Sequence, residues 1–124
     1  MSPTSTNTDA RSVRARYAFL FDSVAELYWL RYGKRPSKRF EEIKIATEKL
    51  KEDGFLSEFL AANLVVNYEA YPSLLPGKAP DQEWLNKLHE LLNITIGDLC
   101  AEIKEITDKS ESHSRETLIR SLLG

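Results

Sequence analysis

Residues 10–32 read ARSVRARYAFLFDSVAELYWLRY, and the positions of the apolar side chains within them decide the fold class. Val13, Tyr17, Leu20, Val24 and Leu27 recur at alternating spacings of four and three, which stacks them on one stripe of an α-helix. The pattern predicts a helix over 10–32, ended by Gly33, which tolerates a left-handed cap, and kept from continuing by Pro36.

The same period continues downstream. Ser37 is placed to cap a second helix carrying Phe40, Ile43, Thr47 and Leu50, with a solvated face of Glu41, Lys44, Glu48, Lys51 and Glu52 and a stop at Asp53-Gly54. A third helix, from about Ser57 to Tyr71, holds Leu56, Phe59, Leu60, Leu64, Val65 and Val66 and leaves almost no polar face, so it is expected to be the central, most buried one. The Pro-rich stretch 71–80 predicts a long loop, and Pro80 with Asp81 and Glu83 predicts the start of a fourth helix burying Trp84, Leu85, Leu88, Leu91 and Leu92. Thr95 and Asp98 look like a capping pair for a fifth helix through Leu99, Ile103 and Ile106. Residues 108–114 are polar throughout and predict a linker before a short last helix with Leu118, Ile119, Leu122 and Leu123. The expected architecture is all-α: an irregular bundle of five to six helices, one domain over 11–124, behind a flexible, disordered N-terminal tail over 1–10.

Composition agrees with that class. With 42% hydrophobic and 29% charged residues over 124 positions, the chain has enough apolar material to bury roughly two thirds of its unfolded surface without metal or disulfide staples. The single cysteine, Cys100, forms no internal disulfide, and the N-terminus lacks a charged-then-apolar signal layout, so a cytoplasmic protein is expected. On that reading the Asn93-Ile94-Thr95 sequon is a chance match. No apolar run is long enough to cross a bilayer, and no membrane partner is expected.

The inventory of reactive side chains points away from an enzyme. Two His and one Cys have no pairing spacing, His89 and Cys100 fall on separate expected helices, and Glu41 and Glu42, adjacent on a helix, point in different directions. No Gly-rich phosphate loop, zinc-protease motif or calcium loop occurs, so no catalytic residue, metal or cofactor is assigned.

Two surface features remain. Residues 31–39, RYGKRPSKR, hold five cations and no acid, in the first third of the chain (1–44) of net +4, whereas 45–124 is net −6. Arg31, Lys34, Arg35, Ser37, Lys38 and Arg39 are therefore candidates to receive a phosphate or a partner carboxylate at the start of the second helix. The plainer alternative is that Arg31 satisfies the end of the first helix and the others are solvated. The second feature is aromatic density: Phe19, Trp29 and Tyr32 lie off the apolar stripe of the first helix and form a candidate protein interface or homodimer face, unless the third helix packs over them. Asn63 and Asn67, one turn apart in the most apolar helix, are expected to bond each other, Tyr68 or Tyr71 in a local network, the alternative being that they form the only wet face of that helix beside a partner protein.

The expected function is that of a non-catalytic protein–protein interaction or regulatory adaptor, working through the helix-one aromatic face and the basic edge, with a protein partner or a second copy. The alternative is a nucleic-acid-associated accessory or transcriptional factor. It uses the 31–39 loop and the segments 95–100 and 114–120, which resemble a helix-turn-helix although the connection is long and only Arg115 and Arg120 supply cations.

Overall fold

The computed structural model describes residues 9–74 and 81–123, with the backbone alone over 110–116. Four α-helices, α1 (Ala10–Tyr32), α2 (Phe40–Glu52), α3 (Glu58–Ala70) and α4 (Gln82–Leu123), and one 3-10 turn, Tyr71–Leu74, make five helical elements. There is no strand among the described residues, and the bundle is all-helical as the periodicity implies.

The first stripe is the centre of the core. Val13, Tyr17, Leu20, Val24 and Leu27 are all essentially inaccessible and pack with Leu92, Leu99, Ile43, Leu50 and Leu64 from the other three helices. α1 and α4 form the most extensive helix pair, α2 leans on α1, α3 leans on α4, and α2 and α3 form the smallest of the α-helix pairs in contact. A ring cluster closes one end. Tyr71 lies 4.8 Å from Tyr17, 4.6 Å from Phe40 and 5.4 Å from Phe21 between centroids, tying the 3-10 turn and the start of α2 to α1. Arg14 Nη1 also donates to the carbonyl of Leu74 at 3.1 Å.

Caps explain most boundaries. Asp9 accepts from the Ser12 amide at 2.8 Å to start α1, Ser57 accepts from Leu60 N to start α3, and Asp81 accepts from Trp84 N to start α4. Gly33 ends α1 at φ 71°, and Gly54 follows α2 at φ 76°, both left-handed positions where a side chain is strained. Asp9 and Ala10 thus belong to the first helix rather than to a tail; positions 1–8 of the expected tail lie outside the described residues. So do 75–80 of the expected loop and the helix start expected at Pro80, whereas Tyr71–Leu74 of that loop is a 3-10 turn.

Four sequence expectations are corrected. Ser37 caps no helix: α2 begins three residues later, and Ser37 Oγ accepts only from the Arg39 amide, at 3.4 Å, within the turn. α3 is peripheral rather than central, because α4 fills the space along α1 and leaves Phe59, Val65 and Val66 of α3 facing solvent. Thr95 and Asp98 do not start a fifth helix; Thr95 is fully buried mid-helix, its hydroxyl donating to the Leu91 carbonyl at 2.8 Å. Residues 108–114 are helix and not a linker, so 82–123 forms one rod of about 63 Å. The helix-turn-helix resemblance therefore has no turn to rest on.

A polar seam crosses the core. The Tyr17 hydroxyl donates to the Asn67 carbonyl at 2.5 Å, Asn67 Nδ2 donates to the Asn63 carbonyl at 2.9 Å and to Thr95 Oγ1 at 3.0 Å, and Thr47 and Tyr68 share a bond of 2.7 Å. Asn67 is thus satisfied partly by α4 and not by Tyr68 or Tyr71, while its Oδ1 and Asn63 Nδ2 have no partner among the described residues. Burial holds the Tyr17 and Tyr68 phenols well above the ordinary tyrosine range.

Candidate functional site

Phe19, Asp22, Glu26 and Trp29 follow one another at spacings of three, four and three on α1, and so share one face of that helix. This face lies away from the buried stripe. Phe19 is 58% and Trp29 42% exposed, about 15 Å apart along the axis, and the two acids sit between them.

The loop after Gly33 turns back along this face. Lys38 Nζ lies 2.8 Å from Asp22 Oδ1, and Arg35 Nη1 lies 2.7 Å from Glu26 Oε1. The same Arg35 guanidinium stacks over the Trp29 ring at 4.8 Å. The Gly33 turn and Pro36 bring the loop round antiparallel to α1, so that Arg35 meets the later acid, Glu26, and Lys38 the earlier one, Asp22. The aromatic face and the basic loop, two separate candidates in the sequence, are therefore one surface: a ribbon of Phe19, two ion pairs and Trp29.

The six candidates of the basic run divide. Arg35 and Lys38 are engaged with α1; Arg31 lies 4.4 Å over the Phe55 ring; Ser37 bonds within the loop; Lys34 and Arg39 form no ion pair with a described residue. Lys34 and Arg35 also border a shallow depression of about 210 Å³, with Pro36 and Glu42. Each ion pair has side chains more than a third exposed and contributes no more than about 1 kcal/mol, so the clasp is orienting rather than strongly stabilising.

Tyr32 stands apart from Phe19 and Trp29. Its ring packs on Tyr28 at 4.5 Å and Phe55 at 5.8 Å, and its hydroxyl donates to Asp53 Oδ2 at 2.5 Å. Loss of hydration, then that hydrogen bond, pushes Tyr32 up to about 12, and the same bond, aided by Lys49, holds Asp53 below its ordinary range. Tyr32 locks the end of α1 to the end of α2 and is not part of the exposed ribbon.

His89 and Cys100 lie on the same helix, not on separate ones, and eleven residues of rise separate them by about 16 Å, too far to share a ligand. Cys100 is exposed, and His89 Nδ1 is 3.4 Å from Asn93 Nδ2. Among the described residues no His, Cys, Asp and Glu group is placed to hold a metal ion, and no helix is long and apolar enough to cross a membrane.

Two surfaces were not legible as such. The outer side of α3 exposes Phe59, Val65 and Val66, and a furrow between α2 and α3 opens beside Ile45 and Val65. The far end of α4 exposes Leu118, Ile119, Leu122 and Leu123 by 48–83%. The signal available for α3 was its lack of any polar face, which reads equally as burial. No family model matches this chain, and neither the curated proteins nor the solved structures yield a match to it.

Proposed function

We propose that this chain is a non-catalytic interaction protein of adaptor or regulatory type that docks a protein partner on the Phe19–Trp29 ribbon of α1. The observation that carries the reading is Trp29, 42% exposed with the Arg35 guanidinium 4.8 Å over its ring and Arg35 in turn paired with Glu26. Tryptophan and arginine dominate the energetics of protein interfaces, and a pair already oriented before binding loses less side-chain entropy on docking. Phe19 provides a second apolar anchor at the other end, and the two ion pairs between them supply polar specificity in both signs. The single, free Cys100 is in keeping with a reducing, cytoplasmic setting.

The test is recovery of partners from native lysate on the immobilised chain, with and without nuclease, for the wild type and for the double variant Phe19→Ala/Trp29→Ala. A protein retained by the wild type, insensitive to nuclease and lost in the variant is the expected result. Recovery that vanishes with nuclease points instead to a nucleic-acid role for the basic loop, and equal recovery by the double variant removes the ribbon as the docking face.

A further inference from the structure

The chain carries a second pair of bare surfaces, and they complement one another. α4 leaves the bundle after Ile106, the last residue of the helix packed on the core. Its remaining 17 positions, 107–123, project by about 25 Å, and every side chain described there is exposed. Leu118 with Leu122, and Ile119 with Leu123, are one turn apart, so the tip presents a two-column apolar face with Arg120 beside it. Such a tip is helical by propagation from the rod behind it, and no described residue buries its apolar side chains.

The α2–α3 furrow is the counterpart. It runs between two 13-residue helices, about 20 Å long, in two compartments of about 350 and 430 Å³ that meet at Val65. Its apolar lining is Ile45, 63% exposed, with Val65, Leu56, Ala61 and Ala62, and the hydrogen-bonded pair Thr47–Tyr68 also borders it. Its margin is acidic. Glu41, Glu48, Glu58 and Glu69 border it against Lys44 and Lys51, and Lys44 lies 3.9 Å from Glu41. Glu48, Glu58 and Glu69 make no ion pair with a described residue.

We infer that the α4 tip of one chain, Leu118, Ile119, Leu122 and Leu123, docks into the α2–α3 furrow of a second copy, with Arg120 meeting the glutamates of the margin. The match is of shape, an amphipathic helix laid in an apolar groove, and of charge, a cation on the tip against a furrow of net −2. The unbroken helix carries the tip away from the core beyond Ile106, which makes the contact intermolecular. One such contact is small beside the roughly 800 Å² per partner of a stable interface, so a reciprocal exchange between two chains, which doubles it, is the closed form. The inference does not depend on the α1 ribbon.

Sedimentation velocity of the full chain over a dilution series tests it, using Leu118→Asp/Leu122→Asp at the tip, Ile45→Asp in the furrow and Trp29→Ala on α1, each with helicity confirmed by circular dichroism. The expected result is a wild type and a Trp29→Ala variant that associate with rising concentration, tip and furrow variants that stay monomeric, and an equimolar mixture of those two that associates again but only at higher concentration than the wild type, because it keeps one of the two contacts. Arg120→Glu weakens the dimer, and Glu48→Arg/Glu69→Arg restores it. A wild type that is monomeric at all concentrations overturns the inference. So does a dimer lost at the tip but retained in Ile45→Asp, which means that tips pair with each other, or one lost only in Trp29→Ala, which assigns self-association to the ribbon.

Discussion

Thr95 separates two accounts of the C-terminal half, because a cap and a mid-helix anchor place its hydroxyl on different partners. As a cap it bonds a local amide of a new helix. In the structure it lies buried, accepts Asn67 Nδ2 from α3 at 3.0 Å and donates to Leu91 at 2.8 Å within an unbroken rod. Thr95→Val preserves shape and removes both bonds. Asn67 keeps its bond to the Asn63 carbonyl, so the cost sits toward the lower part of the range for a buried hydrogen bond, about 1–2 kcal/mol. Asn67→Leu removes the same interaction together with a buried Oδ1 that has no partner among the described residues, which offsets the loss and keeps its effect within about 1 kcal/mol. With Leu at 67 there is no amide left to strand, and Thr95→Val then costs only a few tenths. The double-mutant cycle therefore yields a coupling of about 1 kcal/mol between residues 28 apart in sequence. Urea unfolding followed by circular dichroism measures it, the midpoint shifting while the slope stays constant. Effects that add to within about 0.5 kcal/mol refute the seam, and with it the placement of α3 on an unbroken α4.

The other predictions concern the clasp, the glycines and pH. Arg35→Ala changes stability by less than about 1 kcal/mol, since the pair with Glu26 is exposed, yet in a Trp84→Phe background it raises acrylamide quenching of Trp29 fluorescence by uncovering the ring; unchanged quenching contradicts the stack. Gly33→Ala, at φ 71°, destabilises by about 1–2 kcal/mol, whereas Gly97→Ala, mid-helix with open space around it, stabilises by about 0.5–1 kcal/mol, and thermal unfolding distinguishes the signs. Tyr17, Tyr32 and Tyr68 hold their protons beyond the ordinary 10.0, so the folded chain binds more protons than the unfolded one in that window. Stability is full below pH 10 and falls as pH rises beyond it. Asp9 and Asp53 are held low, so their contribution is present above 3.8 and lost as pH falls below it. Urea midpoints measured from acid to alkali give a plateau with a fall on both sides, and a plateau that continues above pH 11 contradicts the buried phenols.

The core stripe of α1 was legible because period alone fixes it: all five residues chosen by spacing are buried. The breaks in α4 were misread for a physical reason. Thr95 with Asp98, and the polar run 108–114, are punctuation only where the chain gains by stopping. Here Leu92, Ile96 and Leu99 pack on the core on both sides of Gly97, which outweighs the roughly 1 kcal/mol that a mid-helix glycine costs, and no proline interrupts the rod. α3 was placed at the centre because its sequence has no polar face; an apolar helix on the outside looks the same until the longer helix that displaces it is known. Ser37 matches a cap by type, but Lys38 reaches back to Asp22 and the chain bends at 38–39, so the helix starts only where Phe40 enters the ring cluster. Phe19 and Trp29 were found by their position off the stripe. That the basic loop lies along them required the tertiary turn at Gly33, although two acids one helical turn apart ahead of two cations are its trace in the sequence.

The docking face on α1 is tested most directly by a photo-crosslinking residue placed at position 19 or 29 in cells that make the chain, with Lys87, on the exposed side of α4, as the control position. The account predicts a discrete protein adduct from both α1 positions and none from 87. Adducts to nucleic acid, or the same adducts from all three positions, contradict it.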